Sequence, residues 1–405
     1  MREPIAVTGF GLTTCLGIGA ETNWKRLREE RSGLATVSRF DIGDYPVKEG
    51  GEAPAGGPSD TDDGAASFET RHLLGAIREA LRGAGFESGR VPDDLRVGVV
   101  IGSSLAGSST SDRFFTEYQA KGPADVDYGL LEGYYIEDLL RFISGEVGAR
   151  GPAVLVSNAC AAGGSSLAQG ARWLLGRRAD LVIAAGYDPL SIFTFAGFGS
   201  LMALSTSTLK PFSANRDGML LGDGFAAAVL QRLSDTKDRA VDSLLAGYGE
   251  STDAHHLTHP HPQGAGAALA MRRALESASL KPEDIDYVNC HGTGTGPNDL
   301  AEARALRAVF GARVSEVPLS SSKPFFGHTL GGAGTVEAVV TLLAMQHGFL
   351  PANLNLDEID PEFDDLDVVS TGRAATVRHA MSNSFGFGGS NTSLVFSHRD
   401  KERSR

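Results

Sequence analysis

A single cysteine stands where a short apolar strand is predicted to turn into an amphipathic helix. The strand covers 153–157, small residues follow Cys160, and apolar residues then recur at helical spacing up to Leu175. A helix N-terminus presents unpaired N–H groups and the positive end of the helix dipole, and both lower the pKa of a nearby thiol. We therefore predict that Cys160 is a thiolate nucleophile. The competing interpretation is a buried core cysteine, the commoner role of an isolated cysteine.

Three glycine-rich segments favour the nucleophile over the core cysteine. Each joins a predicted strand to a glycine turn and then to polar side chains. The segments cover 289–302 with His291, 320–337 with His328, and 383–391 with Gly-Phe-Gly-Gly. Together with the cysteine they favour a catalytic role for Cys160.

Composition bounds the class of protein. The chain has 405 residues, 41% hydrophobic and 21% charged, which is typical of a globular protein with one large or two smaller domains. A net charge of −13 argues against a nucleic-acid partner, because phosphate binding needs clustered Lys and Arg. The sequence contains no long apolar run for a membrane and no secretory signal after Met1, so a cytoplasmic protein is predicted. Cys15, Cys160 and Cys290 are too few for a disulfide framework.

Predicted strands alternate with helical or glycine-rich stretches in both halves of the chain. The strand candidates are 4–8, 96–101, 153–157, 181–185, 225–230, 243–249, 286–290, 317–321, 379–384 and 392–396. The helix candidates of the second half lie near 265–278, 299–310 and 332–347. This alternation predicts α/β layers, and the similar rhythm of the halves suggests duplication.

Several motifs in a fixed order give the chain a family resemblance. Besides the four segments above they include Ile-Ala-Val-Thr-Gly-Phe-Gly at 5–11, Lys-Pro-Phe-Ser-Ala-Asn-Arg-Asp-Gly at 210–218, and Ser-Thr-Asp-Ala-His-His-Leu-Thr at 251–258. The chain resembles the β-ketoacyl-acyl-carrier-protein synthases of the thiolase superfamily, and most of all the 3-oxoacyl synthase II type. The resemblance implies thiolase-like duplicated βαβαβαββ halves in a five-layer αβαβα sandwich. The half at 1–240 would carry the nucleophile and the half at 241–405 the catalytic histidines.

The resemblance also implies a role for each site residue. Cys160 would hold an acyl group as a thioester, with the backbone N–H groups of Cys160 and Phe387 as its oxyanion hole. His291 and His328 would bind the oxygen of a malonyl thioester while it loses CO2 and condenses in a Claisen reaction. The supporting residues would be Lys323, paired with Glu337 and orienting the histidines, and Thr293 and Thr295, hydrogen-bonded to phosphopantetheine. The competing roles are a plain glycine turn, core histidines, a surface lysine and turn or capping threonines.

The same resemblance sets expectations for cofactors and partners. No cofactor or metal is expected, because the substrates ride on the phosphopantetheine of an acyl carrier protein. The histidine-rich run at 255–261 lacks the ligand spacing of a metal site and is broken by prolines. The protein would be a homodimer, with its interface beside the strand near 150–160, or a heterodimer with a cysteine-less homologue like a chain-length factor. No membrane partner is expected.

Alternative functions differ in pathway or in class. The first alternative is the ketosynthase subunit of a dissociable type II polyketide or polyene pathway, since Asn-Ala-Cys and His-Gly-Thr-Gly-Thr differ from the commonest fatty-acid forms. A non-catalytic partner would lack the cysteine, and thiolases or CoA-dependent initiating synthases lack the Lys323-to-His328 motif.

The resemblance implies a strongly acidic carrier protein, and this chain itself has a net charge of −13, so docking is expected to need a local positive patch that overcomes the overall repulsion. The turn-rich stretch 49–64 is expected to be a mobile surface loop where relatives commonly carry a basic segment, and Met202 stands where relatives often have Arg. The docking candidates, expected to flank the Cys160 entrance, are Arg71, Arg113, Lys121 and Arg172.

Overall fold

A computed structural model describes residues 3–43, 45–58, 67–236 and 241–399. These ranges contain fifteen strands and ten α-helices. The strands are β1 (Ile5–Thr14), β2 (Gly17–Ile18), β3 (Ala35–Thr36), β4 (Glu49–Gly50), β5 (Val97–Gly102), β6 (Ala153–Val156), β7 (Leu181–Asp188), β8 (Gly224–Arg232), β9 (Ser243–Thr252), β10 (Tyr287–Asn289), β11 (Leu319–Ser320), β12 (Phe349–Leu350), β13 (Arg373–Ala374), β14 (His379–Phe385) and β15 (Ser390–His398). The helices are α1 (Ala20–Arg28), α2 (Phe68–Gly83), α3 (Ser108–Lys121), α4 (Ile136–Val147), α5 (Ala162–Leu175), α6 (Ile192–Ser200), α7 (Ala265–Ala278), α8 (Gly296–Phe310), α9 (Lys323–Phe326) and α10 (Ala333–His347).

The order of strands in the main sheet repeats itself. The sheet runs β11-β10-β14-β15-β9-β1-β8-β7-β5-β6, with β2 added beside β1. Strands β1 and β9 form an antiparallel pair at the centre, and each begins one half of the sheet with five strands. Counted outward from the centre, the strands of each half come first, fifth, fourth, second and third along the chain. The predicted duplication of the α/β fold is confirmed by this repeat. The boundary between residues 240 and 241 stays a prediction.

Alternating side chains divide the core into layers on both faces of the sheet. Along β7, Ile183 and Ala185 join an apolar cluster with α2, whereas Val182 and Ala184 join a cluster with α5 and α10. A third cluster packs α7 and α8 on the far side of the second half. Strands alternate side chains between faces, so each buried strand serves two layers. The resulting order is helices, one half of the sheet, the paired α5 and α10, the other half of the sheet, and helices. This is the order that the five-layer prediction requires.

The two central helices meet through glycines. A Cβ at Gly163 of α5 would lie 2.6 Å from the backbone N of Thr335 in α10, and a Cβ at Gly334 would collide with Gly164. Only residues without a side chain allow backbones to approach this closely. Because α5 begins just after Cys160 and α10 just after His328, this crossing joins the two predicted catalytic loops.

The predicted elements are found, with changes at their ends. All ten predicted strands and the three predicted helices are present, although β1 continues well beyond residue 8 to Thr14. The predicted mobile surface loop is wrong for residues 49–53, since β4 pairs with β3 and the buried Ala53 donates its N–H to Asp223 at 2.7 Å. A buried carboxylate needs donors, and the loop supplies one of them. Residues 59–64 of that prediction lie outside the described residues.

One strand edge and one property of the helices bear on partners. Strand β6, next to the predicted nucleophile, lies at the end of the sheet and is only partly buried. Among the helices described, none combines the length and apolar character needed to cross a bilayer.

Candidate active site

Cys160 lies in the turn between β6 and α5. It is buried and lines a cavity of about 360 Å³. The preceding Ala159 has a φ of 54°, a left-handed conformation that residues other than glycine rarely adopt. Such local strain is held in place by surrounding structure and is common at functional sites. The turn presents the thiol to the cavity just before the helix N-terminus.

The loop between β14 and β15 closes over the cysteine. A Cβ at Gly386 would lie 2.9 Å from the Cys160 backbone N and 3.1 Å from the Ala159 Cβ, so the position requires glycine. The backbone N–H of the next residue, Phe387, is near the Cys160 thiol and acts to lower its pKa. Both N–H groups assigned to the oxyanion hole therefore lie beside the thiol.

The thiol is not acidic in this cavity. Burial raises the pKa of Cys160 to about 12, while the positive charge of Lys323 and the Phe387 N–H act in the opposite direction. The buried carboxylate of Asp188 adds to the increase. The helix N-terminus was predicted to lower the pKa of this thiol and so favour the thiolate. That prediction is wrong, because desolvation of the charged form outweighs the local donors.

Two histidines face the same cavity from the other half of the chain. The rings of His291 and His328 lie 5.1 Å apart at an angle of 80°, and both line the cavity. The Leu330 N–H donates to Nδ1 of His328 at 3.2 Å, and Nζ of Lys323 lies 3.3 Å from Nδ1 of His291. A neutral imidazole with Nδ1 as acceptor carries its proton on Nε2. Both rings are therefore assigned as Nε2–H donors.

Charge and burial keep these rings neutral. Burial, followed by the nearby Lys323 charge, holds the pKa of His291 and of His328 well below the ordinary value. His328 further lowers the pKa of His291. Neutral imidazoles cannot neutralise an anion by charge, but each can donate one N–H to it.

Lys323 and Glu337 form a fully buried ion pair behind the histidines. Nζ of Lys323 lies 2.5 Å from Oε1 of Glu337, and neither side chain is exposed. The ammonium also donates to the His291 carbonyl oxygen. Burial raises the pKa of Glu337 to about 7, whereas the Lys323 charge lowers it. The lysine therefore connects the carboxylate to the backbone and ring of one histidine.

The two threonines lie together at the cavity wall. Oγ1 of Thr293 and Oγ1 of Thr295 are 2.8 Å apart, and both residues line the cavity. Thr295 is also the N-cap residue of α8 but makes no side-chain capping bond. Their hydroxyl groups thus remain at the cavity surface where a polar ligand could meet them.

Two carboxylates that support the site were missed by sequence reasoning. Glu302 accepts the backbone N–H groups of His291 and Gly292 at 2.9 and 2.8 Å, and burial raises its pKa to about 7. Asp188 accepts N–H groups from Ser104, Leu105 and Gly331. In the sequence, Glu302 lies three residues after Asp299, a spacing that places both on one face of a helix. In the structure both side chains are buried on α8.

The four predicted docking cations do not line the cavity. Among the described residues that line the cavity, none of the four candidates occurs. Arg172 lies in the last turn of α5, about 15 Å along the helix from its start, where it contacts Glu250. Lys121 is paired with Glu117 at 2.6 Å. The resemblance placed these candidates beside the entrance; Arg172 lies at the far end of α5 instead, and for the other three that placement stays a prediction.

The histidine-rich loop contains close imidazoles. Nδ1 of His256 lies 3.2 Å from Nδ1 of His259, and the rings of His255 and His261 are 5.3 Å apart. Within the described part of the chain, no group of three or more His, Cys, Asp or Glu side chains is arranged to hold a metal ion.

Comparison with known proteins identifies the family. Residues 2–236 match the profile "Beta-ketoacyl synthase, N-terminal domain", and residues 243–357 match "Beta-ketoacyl synthase, C-terminal domain". The chain belongs to the β-ketoacyl synthase family. The resemblance found in the motifs is thereby confirmed.

Curated relatives and solved structures agree with this family. "3-oxoacyl-[acyl-carrier-protein] synthase 2" of Coxiella burnetii is 32% identical over 98% of this chain and 99% of that protein. The protein of the same name from Vibrio harveyi is 34% identical over 98% of each. A β-ketoacyl synthase structure from Burkholderia phymatum matches with a TM-score of 0.90 at 31% identity, covering 99% of this chain and all of that one. The structure "The ishigamide ketosynthase/chain length factor" has a TM-score of 0.92 at 30% identity, covering 99% and 100%.

Proposed function

We propose that this β-ketoacyl synthase catalyses decarboxylative Claisen condensation between a malonyl group on an acyl carrier protein and an acyl group on Cys160. The observation that carries the proposal is the meeting of one thiol, two backbone N–H groups and two Nε2–H imidazoles in a single cavity. The relatives named 3-oxoacyl-acyl-carrier-protein synthase 2 support the same activity.

Acyl transfer is the first half-reaction. The sulfur of Cys160 attacks the carbonyl carbon of an acyl-pantetheine thioester, and the carbonyl oxygen accepts the N–H groups of Cys160 and Phe387. The bond to the pantetheine sulfur then breaks, and the proton of the Cys160 thiol passes to that leaving sulfur. Because burial raises the pKa of the Cys160 thiol, the proposed proton transfer accompanies the attack.

Decarboxylation and condensation form the second half-reaction. The malonyl carboxylate leaves as CO2, and its electron pair forms an enolate whose oxygen accepts Nε2–H bonds from His291 and His328. The enolate carbon attacks the acyl carbonyl, and the Cys160 sulfur leaves and regains a proton. Neutral histidines suit this step, because two fixed dipoles stabilise the enolate without a proton transfer that would quench it. Lys323, held by Glu337, keeps His291 in the required tautomer.

The proposed substrates need no separate cofactor, since phosphopantetheine of the carrier protein supplies the thioester. Thr293 and Thr295 are the proposed hydrogen-bond partners of its amides. An acyl carrier protein is therefore the proposed macromolecular substrate. The partly buried edge strand β6 supports the proposal of a dimer that forms beside the nucleophile strand.

A second candidate is the ketosynthase subunit of a type II polyketide or polyene pathway. Two similar structures favour it, namely the ishigamide pair and "Ketosynthase (ApeO) in Complex with its Chain Length Factor (ApeC)" from Xenorhabdus doucetiae. The latter is 29% identical with a TM-score of 0.85, covering 98% of each chain. In that case the partner would be a cysteine-less homologue, and native mass measurement of the complex from the source cells distinguishes it from a homodimer.

Separating the half-reactions tests the proposed function. Cys160→Ala is expected to abolish acyl labelling detected by intact-protein mass spectrometry, while the controls Cys15→Ala and Cys290→Ala retain it. His328→Ala is expected to lose CO2 release from malonyl thioester while still accepting an acyl group on Cys160. Acyl labelling that survives Cys160→Ala, or equal loss of both steps in folded His328→Ala, would contradict the assignment.

A further inference from the structure

Three exposed apolar side chains stand at the mouth of the cavity. Met202 is 90% exposed, Leu257 is 80% exposed and Leu201 is 52% exposed. Leu201 and Met202 line the cavity, and the Leu257 carbonyl oxygen accepts the Gly388 N–H at 2.7 Å beside the Phe387 loop. We call these three residues the apolar rim. Isolated exposed apolar residues are ordinary, but a group around a functional opening marks an interaction surface.

The backbone at Met202 is unfavourable for a residue with a side chain. It follows the C-cap of α6 with a φ of 52°, where its N–H bonds the Gly199 carbonyl and the Ala203 N–H bonds the Phe198 carbonyl. Helices that end with this pattern usually place glycine there. The chain keeps a long, adaptable thioether instead and directs it into solvent. This position therefore has a side chain that the fold does not use.

The mouth offers an acidic partner no unpaired positive charge from the described lining residues. Arg216 is the one Lys or Arg among them, its side chain is 8% exposed, and it is paired with Asp360 at 2.5 Å. Asp217 and Asp253 line the same cavity. The whole chain has a net charge of −13, so the overall charge of the protein repels an acidic partner rather than attracting it.

We propose that the acyl carrier protein docks on the apolar rim through apolar contacts rather than through ion pairs. The proposal rests on the proposed function, because a carrier that delivers a thioester to Cys160 must sit over this mouth while its arm enters. Apolar contact needs no charge on either protein and is little affected by screening, whereas docking through exposed ion pairs weakens as salt rises. The rim thus supplies contact area at an entrance whose described lining residues include no unpaired Lys or Arg.

The test compares one reaction on two carriers. CO2 release is measured with malonyl-acyl carrier protein and with malonyl-pantetheine, for the unmodified protein and for the double variant Met202→Gly with Leu257→Ala. Glycine suits the left-handed position, so this variant removes the side chain without straining the turn. We expect the KM for malonyl-acyl carrier protein to rise about tenfold or more with kcat unchanged, and the KM for malonyl-pantetheine to change by less than about twofold.

Two controls keep the outcomes distinct. Leu269→Ala, at a 40% exposed leucine on α7, should leave both KM values unchanged. For the unmodified protein, the carrier KM should change by less than about twofold between about 0.05 and 0.5 M NaCl. A double variant with an unchanged carrier KM, or a carrier KM that rises steeply with salt, overturns apolar docking. Failure of the unmodified protein to release CO2 from malonyl-pantetheine would instead overturn the proposed function.

Discussion

The two walls of the cavity are built by different physics. Cys160 is positioned by backbone geometry, with a left-handed Ala159 before it and a glycine pressed against its N–H. The histidines are positioned by buried ionisable groups, namely the Lys323–Glu337 pair and the Glu302 carboxylate below the His291 backbone. We call the side formed by the Cys160 turn the nucleophile wall and the side formed by the two histidines the histidine wall. The nucleophile wall should be sensitive to added side-chain volume, and the histidine wall to altered charge. The predictions below test this contrast.

Removing charge from the histidine wall should have the largest effect. Lys323→Ala leaves the buried Glu337 carboxylate without its partner, so we expect the free energy of unfolding to fall by about 3–5 kcal/mol in chemical denaturation. Lys121→Ala is the matched control, since its pair with Glu117 lies at the surface and its loss should change the free energy of unfolding far less. Equal losses for the two variants would contradict a buried pair.

Adding volume to the nucleophile wall should have the next largest effect. Gly386→Ala places a methyl group 2.9 Å from the Cys160 N and must displace the adjoining Phe387 N–H. We expect the acylation rate of Cys160 to fall about 100-fold, while CO2 release from malonyl-pantetheine is retained. Gly145→Ala is the control, because a Cβ there meets nothing within 4 Å. A parallel fall in CO2 release would show that the two walls are not separate.

Protonation should then change stability through the histidine wall. Burial raises the folded-state pKa of Glu302 from 4.5 to about 7, so the folded state holds this proton more tightly than the unfolded state. The stabilising contribution is complete below about pH 4.5 and is lost as pH rises through about 7. Glu302→Gln should flatten the pH dependence of the unfolding free energy in this window, by at most about 1.4 kcal/mol per pH unit. An unchanged slope would assign that dependence to Glu337, whose pKa is raised in the same direction.

The smallest effect should be an absence of titration. Because burial and Lys323 hold the pKa of His291 and His328 well below the ordinary value, both rings should remain neutral from about pH 6 to 8. Their NMR signals, assigned through His→Asn variants, should not shift across this range. A midpoint near about 6.5 for either ring would mean that the wall is not desolvated as described.

The sequence predicts local features of this protein better than long-range ones. Strand positions and the turn at Cys160 follow from apolar runs and small residues, which act over a few neighbours. The duplication was predicted, but the order of strands in the sheet and the packing of Ala53 onto Asp223 depend on contacts between segments far apart in the chain. Their absence from the prediction is a consequence of range.

The errors at the site have the same physical origin. The direction of the Cys160 pKa shift was mispredicted, because a helix N-terminus is visible in the sequence but the extent of burial is not. Arg172 was placed beside the entrance by resemblance, but it lies in the last turn of α5, at the end away from Cys160, and the direction of that helix is not visible in the motifs. By contrast, the pairing of Lys323 with Glu337 was implied by the resemblance, and it agrees with the need of a buried ammonium for a carboxylate.

The glycine crossing of α5 and α10 determines how closely these two helices approach each other. The loop with Cys160 follows β6, and the loop with Lys323 and His328 follows β11. Each of these strands is the third of the five in its half of the sheet, and each loop leads toward one of the two helices. The duplicated scaffold thus places two equivalent loops face to face, and in the proposed mechanism they have different chemical tasks. Gly163 and Gly334 set how far apart the tasks are performed, although neither residue lines the cavity described. In the proposed reaction, the distance between the acyl group on Cys160 and the enolate at the histidines would therefore depend partly on residues that have no side chain.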